Sequence, residues 1–338
     1  MTPATSPPST ITSQRWIVPL LLVTVLLNLG LILWGGWQTI WQQLRQIPFA
    51  FYPLSALILC CGYGIGFWRW HTYLQVLDHW LPIRPSLRIF LGSLALTASP
   101  GRAGESIKSL WLRQQFGISA ARSLAGLVCE RLCDLLAALL IVGLGLSARL
   151  GAGFWWACLG LAIALFLILS QPQRLQAWAE RFGGRSRRRK GLERLAHLLF
   201  SARRLLQPRY LAGGLLVSVA IWSLEGIVLY GCFQVLQTET INLPTAILIR
   251  AAMGLGGVLT LLPGGLGGAE AASISLALLY GANRDQAIAA TVLIRLLTLW
   301  FPIAIGWVAL HRQSRALKSL ALSPLPDPDA DQSPKSPR

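Results

Sequence analysis

The stretch Leu262-Pro263-Gly264-Gly265-Leu266-Gly267-Gly268-Ala269-Glu270 interrupts an apolar run and ends on a carboxylate. A related stretch, Ser99-Pro100-Gly101-Arg102-Ala103-Gly104-Glu105, lies near one third of the chain and is also flanked by apolar residues. Proline and glycine end helices, so each stretch predicts a helix break at a place where the hydropathy indicates membrane. A helix break that is repeated at membrane depth is typical of a transporter and is not needed in a helix that only anchors a protein.

The composition is that of an integral membrane protein. Hydrophobic residues make up 54% of the 338 residues, charged residues make up 13%, and the mean hydropathy is +0.55. A helix needs about 20 apolar residues to cross a bilayer, and segments of about that length recur along the chain. We interpret the first as a retained transmembrane helix and not as a signal peptide, because its apolar run is long and no small-residue cleavage site follows. The predicted crossings are Trp16–Trp37, Phe51–Trp70, Ser119–Leu146, Phe154–Ser170, Tyr210–Leu236 and Ala287–Leu310.

The positive charges are concentrated in one polar loop. The net charge is +17, and ten of the thirty basic residues fall within Gln171–Pro208, centred on Arg185-Ser186-Arg187-Arg188-Arg189-Lys190. Such a cluster beside apolar segments is typical of a cytoplasmic loop, and it attracts the headgroups of anionic lipids. Binding of nucleic acid is not predicted, because no nucleic-acid-binding motif accompanies the charge.

The basic residues assign a side of the membrane to each segment. With the basic loop in the cytoplasm, both termini are cytoplasmic, and Gln237–Leu243, which has no lysine or arginine, lies outside. Leu87–Phe116 and Pro244–Tyr280 must then each begin and end on one side, and each has two apolar arms around a break. We therefore predict two re-entrant hairpins, with two short full crossings apiece as the alternative. The predicted location is the inner membrane of a bacterial cell.

The two parts of the chain are related by an internal repeat. Gly117-Ile118-Ser119 corresponds to Gly281-Ala282-Asn283, and Arg131 corresponds to Arg295, which lies 164 residues later. The sequence identity is low, but the assignment of sides independently gives the two parts opposite orientations. Inverted repeats with paired broken helices place a substrate site near the middle of the membrane, at the interface between the repeats.

The predicted fold is an all-α polytopic membrane protein with about six transmembrane helices and two re-entrant hairpins in an inverted repeat. Its repeat halves cover about 51–146 and 210–310, each as helix, hairpin and helix, within a transmembrane domain over residues 15–315. The flanking segments 1–14 and 316–338 are rich in proline and serine and are predicted to be disordered.

Several charged residues lie within the apolar segments, where each costs at least about 2.5 kcal/mol and therefore requires an explanation. One explanation is structural: Glu105 would pair with Arg131, and Glu270 with Arg295, to hold helices together. The other is a polar cavity in which arginines bind a phosphate group, carboxylates bind an amine or a proton, and glycines let a headgroup approach helix N-termini. The predicted substrate-binding residues are Gly101, Arg102, Glu105, Glu130, Arg131, Asp134, Gly264, Gly265, Glu270 and Arg295.

Other kinds of site have little support in the sequence. The four histidines lie in loops or at helix ends without metal-ligand spacing, and the six cysteines all fall in apolar segments. No nucleophile–base motif and no phosphate-binding loop is recognisable. We therefore predict no metal, no cofactor and no catalytic residue. Glu225 and Arg250 are two further charged residues inside apolar segments.

Four motifs follow one another along the chain: Pro100-Gly101-Arg102-Ala103-Gly104-Glu105, Glu130-Arg131-Leu132-Cys133-Asp134-Leu135-Leu136, Leu262-Pro263-Gly264-Gly265-Leu266-Gly267 and Arg295-Leu296-Leu297-Thr298-Leu299-Trp300. Together they resemble the lysylphosphatidylglycerol synthase transmembrane family, the flippase-like domain, over roughly Trp16 to Arg315. In multidomain members, a region like this moves aminoacylated phosphatidylglycerol between leaflets, and a separate cytoplasmic domain makes that lipid from aminoacyl-tRNA. No such soluble domain is recognisable here, so the resemblance implies lipid translocation or lipid handling and not synthesis.

We predict that the protein translocates or binds a phospholipid, such as aminoacylated phosphatidylglycerol, or a lipid-linked substrate in a polar groove between the hairpins. Its partners would be membrane lipids, anionic phospholipids in particular, and a separate lipid synthase. One alternative is a membrane-bound transferase that acts on a lipid-linked substrate, with Glu130 and Asp134 as an acidic pair. The other is a non-catalytic partner of a lipid synthase. An enzyme is the less favoured of these functions, because no soluble catalytic domain is recognisable.

Overall fold

The computed structural model describes residues 47–99, 104–169, 202–260 and 262–322, together with a few isolated positions, and its side chains are described as far as His311. The predicted first transmembrane helix, nearly all of residues 1–46 and most of the basic loop lie outside the described residues, as do residues 323–338. The described part of the chain is helical and contains no strand, which confirms the all-α class.

The helices follow the order of the predicted repeat. The first half contains α1 (Phe51–Val76), α2 (Ile83–Ser93), a 3₁₀ turn (Leu94–Leu96), α3 (Ile107–Phe116) and α4 (Ala120–Leu150), followed by α5 (Ala152–Leu169). The second half contains α6 (Pro208–Val235), α7 (Leu243–Thr260), a 3₁₀ turn (Pro263–Gly265), α8 (Gly268–Leu279), α9 (Arg284–Arg295), a π-helical turn (Leu296–Trp300) and α10 (Phe301–Leu322).

Four helical runs in the described part of the chain are long and apolar enough to cross a membrane. They are α1, α6, α7 and the continuous run of α9 and α10 over Arg284–His311. Helix α4 is longer, with 31 residues, but it carries Glu130, Arg131 and Asp134 near its middle. The chain is therefore a multi-pass membrane protein in which one of the longest helices is charged at its centre.

Both segments around the breaks fold as helix, break and helix. In the first hairpin, α2 and α3 have 11 and 10 residues, so each arm is about 16 Å long, half the hydrocarbon core of a bilayer. In the second hairpin, α7 has 18 residues and spans about 27 Å, whereas α8 has 12 residues and spans about 18 Å. The two ends of this hairpin meet, because a Cβ atom added to Gly281 would lie 3.4 Å from Thr240. Re-entry from one side of a membrane stays a prediction.

The corresponding tripeptides of the repeat have the same conformation in both halves. The second arm of each hairpin ends at a glycine in the left-handed region, Gly117 with φ of 66° and Gly281 with φ of 91°. Two residues later, Ser119 and Asn283 cap the N-terminus of the following helix by accepting a backbone N–H. Glycine is favoured at the first position because other residues strain at positive φ. The sequence match therefore reports a shared turn between hairpin and helix.

Each hairpin packs against the last helix of the other half. Helix α7, the first arm of the second hairpin, packs on α4, whereas α2 and its 3₁₀ turn pack on α10. Helix α6 lies between the halves and contacts α1, α4 and α7. This exchange brings the break of the second hairpin and both charged helices, α4 and α9, together around one cavity.

The second hairpin closes through backbone contact between glycines. A Cβ atom added to Gly257 of α7 would lie 3.2 Å from the Cα atom of Gly265 in the break. One added to Gly256 would collide with the carbonyl oxygen of Gly268 in α8. Residues without side chains are needed wherever helix backbones approach this closely. Gly256 and Gly257 therefore allow α7 to lie directly against the break and α8.

The helix that carries Arg295 changes its winding directly after that residue. The π-helical turn over Leu296–Trp300 precedes Pro302, whose ring has no N–H to donate and would clash with a carbonyl in a regular α-helix. A wider turn accommodates that proline, and such turns are common at functional sites. It also places Thr298 at the central cavity, where its hydroxyl donates to the carbonyl oxygen of Ile294 at 2.8 Å.

Candidate functional site

A cavity of about 350 Å³ lies where the break of the second hairpin meets α4, α6, α7 and α9. Its charged side chains are Arg131 and Asp134 from α4, Arg250 from α7 and Arg295 from α9. The rest of its wall is largely apolar. The apolar lining includes Leu135, Ala138, Met253, Leu255, Val258 and Leu299.

Arg295 holds the second break in place. Its Nε donates to Glu270 Oε1 at 2.6 Å, and its two terminal nitrogens donate to the carbonyl oxygens of Gly264 at 2.9 Å and Gly265 at 3.2 Å. The side chains of Arg295 and Glu270 are only 9% and 3% exposed. One guanidinium therefore ties α9 to both the break and the first turn of α8.

Arg131, the corresponding residue of the first half, is held less firmly. A terminal nitrogen of Arg131 lies 3.6 Å from Glu105 Oε2 and 3.3 Å from Asp134 Oδ2. The Arg131 side chain is 33% exposed, and its buried Nε makes no hydrogen bond. Longer contacts and greater exposure leave this guanidinium available to a further anion.

Lys108 lies behind Arg131 and is almost fully buried. Its Nζ is 3.4 Å from Glu130 Oε2, 3.8 Å from Glu105 Oε2 and 4.3 Å from the ring centre of Trp70. This lysine, both glutamates and Arg131 line a second cavity of about 80 Å³. Arg131 lines both cavities. A change in the charge of a group in one cavity therefore alters the electrostatic potential in the other.

Asp134 joins three helices at the centre of the molecule. Arg69 of α1 lies 3.0 Å from Asp134 Oδ1 and donates to the hydroxyl oxygen of Ser218 in α6 at 2.6 Å. That hydroxyl donates in turn to Asp134 Oδ1 at 2.7 Å. Arg69 and Ser218 are buried, so this triangle fixes α1, α4 and α6 relative to one another.

Arg250 is held by groups on α6. It forms an ion pair with Glu225 and stacks over Trp222, with 4.9 Å between the guanidinium carbon and the ring centre. The indole N–H of Trp222 donates to the backbone carbonyl of Asp134 at 3.1 Å. Arg250 thus lines the larger cavity on an aromatic support.

The described charges of this centre balance. Each cation lies within ion-pair distance of at least one carboxylate, as buried charges require. The cations are Arg69, Lys108, Arg131, Arg250 and Arg295, and the carboxylates are Glu105, Glu130, Asp134, Glu225 and Glu270.

The family model described as the lysylphosphatidylglycerol synthase TM region matches residues 16–306. The chain belongs to this family. A UPF0104 membrane protein of Pyrococcus horikoshii is 21% identical over 340 residues, which cover 89% of this chain and 98% of that protein. Two UPF0104 membrane proteins of Methanothermobacter thermautotrophicus are each 28% identical, over 67% and 71% of this chain and 73% and 77% of their own lengths. These names state a membrane location and no substrate.

In this member of the lysylphosphatidylglycerol synthase transmembrane family, the structure brings most of the predicted site residues together. Seven of them line the two cavities, and Glu270 adjoins them through Arg295. Gly101 and Arg102 lie outside the described residues. Both ion pairs of the structural explanation are also present. The residues that line a cavity are Glu105, Glu130, Arg131, Asp134, Gly264, Gly265 and Arg295.

Sequence reasoning missed Arg69, Lys108, Ser218 and Trp222. Arg69 falls next to the predicted end of the first described crossing, where a charged residue is ordinary, but α1 continues to Val76 and buries it. Lys108 gave a usable signal, because it follows Glu105 by three residues in an apolar arm and so lies on the same helix face. The other two carried no distinguishing pattern.

Proposed function

We propose that the protein binds the phosphate headgroup of a phospholipid in the larger cavity and translocates that lipid between the leaflets of a bacterial inner membrane, with both termini in the cytoplasm. The observation that supports this most directly is the cavity of about 350 Å³ between the hairpin break and α4, which combines three arginines with an apolar wall. Amphipathic ligands require both kinds of surface, whereas a free metal ion or sugar does not.

Arg131 is the residue best placed to contact the phosphate. A guanidinium has five donors in a planar fork that matches two phosphate oxygens. Arg131 has the most exposed of the three cavity guanidinium side chains, and its contacts with carboxylates are 3.3 and 3.6 Å long. A phosphate oxygen would replace those contacts at little cost. Arg250 also lines the cavity and is a second candidate for contact with the phosphate. Arg295 already uses three donors and would mainly orient the break.

The size of the cavity supports binding of a headgroup and not of a whole lipid. Binding sites for small molecules begin at about 300 Å³, which corresponds to a headgroup, while two acyl chains need far more. Large apolar side chains surround the tip of the second hairpin, with exposed fractions of 51% for Val258, 83% for Leu259 and 46% for Leu262. Acyl chains would remain among these residues in the bilayer while the headgroup crosses inside the protein.

The inverted repeat suggests how access would alternate. Each hairpin packs against the terminal helix of the other half, so a small shift of one hairpin changes the wall of the shared cavity. Opening at one break and then at the other would expose the headgroup to each side in turn. This is the conventional use of paired broken helices, and it requires no soluble domain.

An aminoacylated phosphatidylglycerol is a candidate cargo. Its phosphate would lie by Arg131, and its amine would reach Glu105 or Glu130 in the smaller cavity. A separate lipid synthase would then be the natural supplier of the lipid. The transferase alternative has less support, since Glu130 faces Lys108 while Asp134 is bound by Arg69 and Ser218.

The test is lipid movement by purified protein in liposomes. Headgroup-labelled phosphatidylglycerol and its aminoacylated form are followed separately by dithionite quenching or by headgroup protection. We expect movement with the wild type and a loss of at least about tenfold with Arg131→Ala, which corresponds to about 1.4 kcal/mol of lost phosphate contact. Arg113→Ala, at an exposed arginine on α3, is the matched control.

Two results would contradict the proposal. If Arg131→Ala moves lipid as fast as Arg113→Ala, the cavity is not the path. If the folded wild type moves neither lipid, the function is not translocation, and turnover of a labelled lipid or co-purification with a synthase would identify which alternative applies.

A further inference from the structure

The smaller cavity contains a buried carboxylate with one oxygen unused. Glu130 is 2% exposed, its Oε2 faces Lys108, and its Oε1 makes no hydrogen bond. The side chain lines the cavity of about 80 Å³, which is large enough for several water molecules. A buried carboxylate oxygen without a donor is costly, and a bound proton removes that cost.

We propose that Glu130 binds one proton for each phosphate anion that enters the larger cavity, so that lipid binding and transport are coupled to protons. This inference rests on the proposed function, because it needs an anion in the adjoining cavity. The proton comes from the buffered solvent by way of the smaller cavity and goes to Glu130 Oε1, which converts a carboxylate into a neutral carboxyl group and leaves the buffer in its deprotonated form. No other reactant is required.

Charge balance is the first argument. Among the described residues of this centre, five cations and five carboxylates form ion pairs, so the formal charges of these ten groups sum to zero when no ligand is present. A phosphodiester would add one negative charge to a buried, low-dielectric site, where an uncompensated charge costs several kcal/mol. One proton taken up on a nearby carboxylate restores neutrality.

Geometry supplies a route from the proton to the phosphate. When Glu130 becomes neutral, Lys108 loses its partner at 3.4 Å and is left with Glu105, which is 3.8 Å away. Glu105 is also a partner of Arg131, at 3.6 Å. As Lys108 satisfies Glu105, Arg131 is released toward the cavity it lines, where the phosphate binds. The chain of contacts therefore runs from Glu130 to the anion.

The other charged groups near Glu130 are already engaged. Asp134 accepts from Arg69 and Ser218, and Glu225 is paired with Arg250. Among the described residues, the titratable and charged groups that face Glu130 or share its cavity are Lys108 and Glu105 from the first hairpin, Tyr63 and Arg69 from α1, Glu225 from α6, and Cys129, Arg131, Cys133 and Asp134 from α4 itself.

The second half of the repeat shows that the fold does not require this buried pair. Aligned on the Glu105–Arg131 and Glu270–Arg295 pairs, Lys108 corresponds to Ser273 and Glu130 corresponds to Ile294. Both residues of the second half are buried, and that hairpin packs on its helix without a second ion pair at these positions. The extra charges of the first half therefore serve something other than the shared architecture.

The test is calorimetric titration of the purified protein with short-chain phosphatidylglycerol, in two buffers of different ionisation enthalpy. The difference between the buffers gives the number of protons taken up. We expect about one proton per lipid and an affinity that rises by up to about tenfold for each unit by which the pH falls. Glu130→Gln, which resembles the protonated carboxyl, should bind without proton uptake. Glu239→Gln, at an exposed glutamate in the loop between α6 and α7 that lines neither cavity, should keep the uptake.

A second measurement is made on the wild type and on a double variant, so it does not depend on how well the single variants fold. The infrared carboxyl band of the wild type should grow on acidification and should be missing from a Lys108→Met, Glu130→Leu double variant, which removes both charges at similar volume. If that band does not change, or if lipid binds without proton uptake, the inference is wrong and the proposed function stands.

Glycerophosphoglycerol, the deacylated headgroup, is a separate titrant with one fixed charge. If it binds as tightly as the lipid, the ligand is a free phosphodiester and not a lipid. If neither titrant binds, the proposed function fails, and the infrared band then decides alone whether Glu130 takes up a proton.

Discussion

Replacing Arg295 with lysine should weaken the fold far more than the same change at Arg131, although the two positions correspond in the repeat. Arg295 makes three hydrogen bonds, to Glu270 and to the carbonyl oxygens of Gly264 and Gly265, at 2.6 to 3.2 Å. A lysine ammonium is a point charge that would keep the glutamate and lose the two carbonyl contacts. Each hydrogen bond to a charged group contributes about 1.5–3 kcal/mol, so we expect a loss of at least about 3 kcal/mol.

The control is Arg131→Lys. Arg131 has only the contacts at 3.3 and 3.6 Å, and its side chain is 33% exposed, so water screens what is lost. We expect a cost below about 1 kcal/mol. The free energy of unfolding of both variants would be measured in bicelles by steric trapping. Equal losses for the two variants, or a larger loss for Arg131→Lys, would refute the division between a firmly bound and a loosely bound arginine.

Three further substitutions, one of them with a matched control, test other contacts by the same measurement. Ser218→Ala removes the buried hydroxyl that links Asp134 to α1 and should cost about 1–3 kcal/mol; a neutral result would show that the triangle is not stabilising. Gly256→Ala places a methyl group against backbone and should cost about 1–3 kcal/mol, whereas Gly160→Ala, where nothing lies within 4 Å, should cost nothing or stabilise α5. Trp222→Phe removes one indole hydrogen bond and should cost about 1 kcal/mol, and a larger loss would mean that the indole also positions α7.

The sequence predicted the architecture because the signals that define it are local. Proline and glycine mark the breaks, and the left-handed Gly117 and Gly281 with their following cap residues mark where each hairpin ends. Long apolar runs mark helices whatever they pack against. The exchange of hairpins between halves was not predicted, because it depends on which surfaces meet across hundreds of residues and leaves no local pattern.

Only part of the site was predicted, because only some of its residues leave a local pattern in the sequence. Glu130, Arg131 and Asp134 are conspicuous, since three charges within five residues of a long apolar helix have few explanations. Arg69 was not predicted because it is next to the end of the predicted crossing at Trp70, whereas α1 continues to Val76 and buries it. Lys108 follows Glu105 by three residues, and this spacing was the one local signal of a contact that the structure then shows to be buried, with Lys108 only 1% exposed.

We propose that the structural explanation of these charges applies to the second half of the molecule and the transport explanation to the first half. In the second half, Arg295 makes three hydrogen bonds, two to the carbonyl oxygens of the break and one to Glu270 at the start of α8. In the first half, the corresponding arginine contacts two carboxylates at longer distances, and a lysine competes with it for Glu105. A binding centre of this kind would need one arginine that holds the fold and another that can exchange its carboxylate partners for a ligand. The two halves differ at the positions beside these arginines and their glutamates, with Lys108 and Glu130 in the first half and Ser273 and Ile294 in the second.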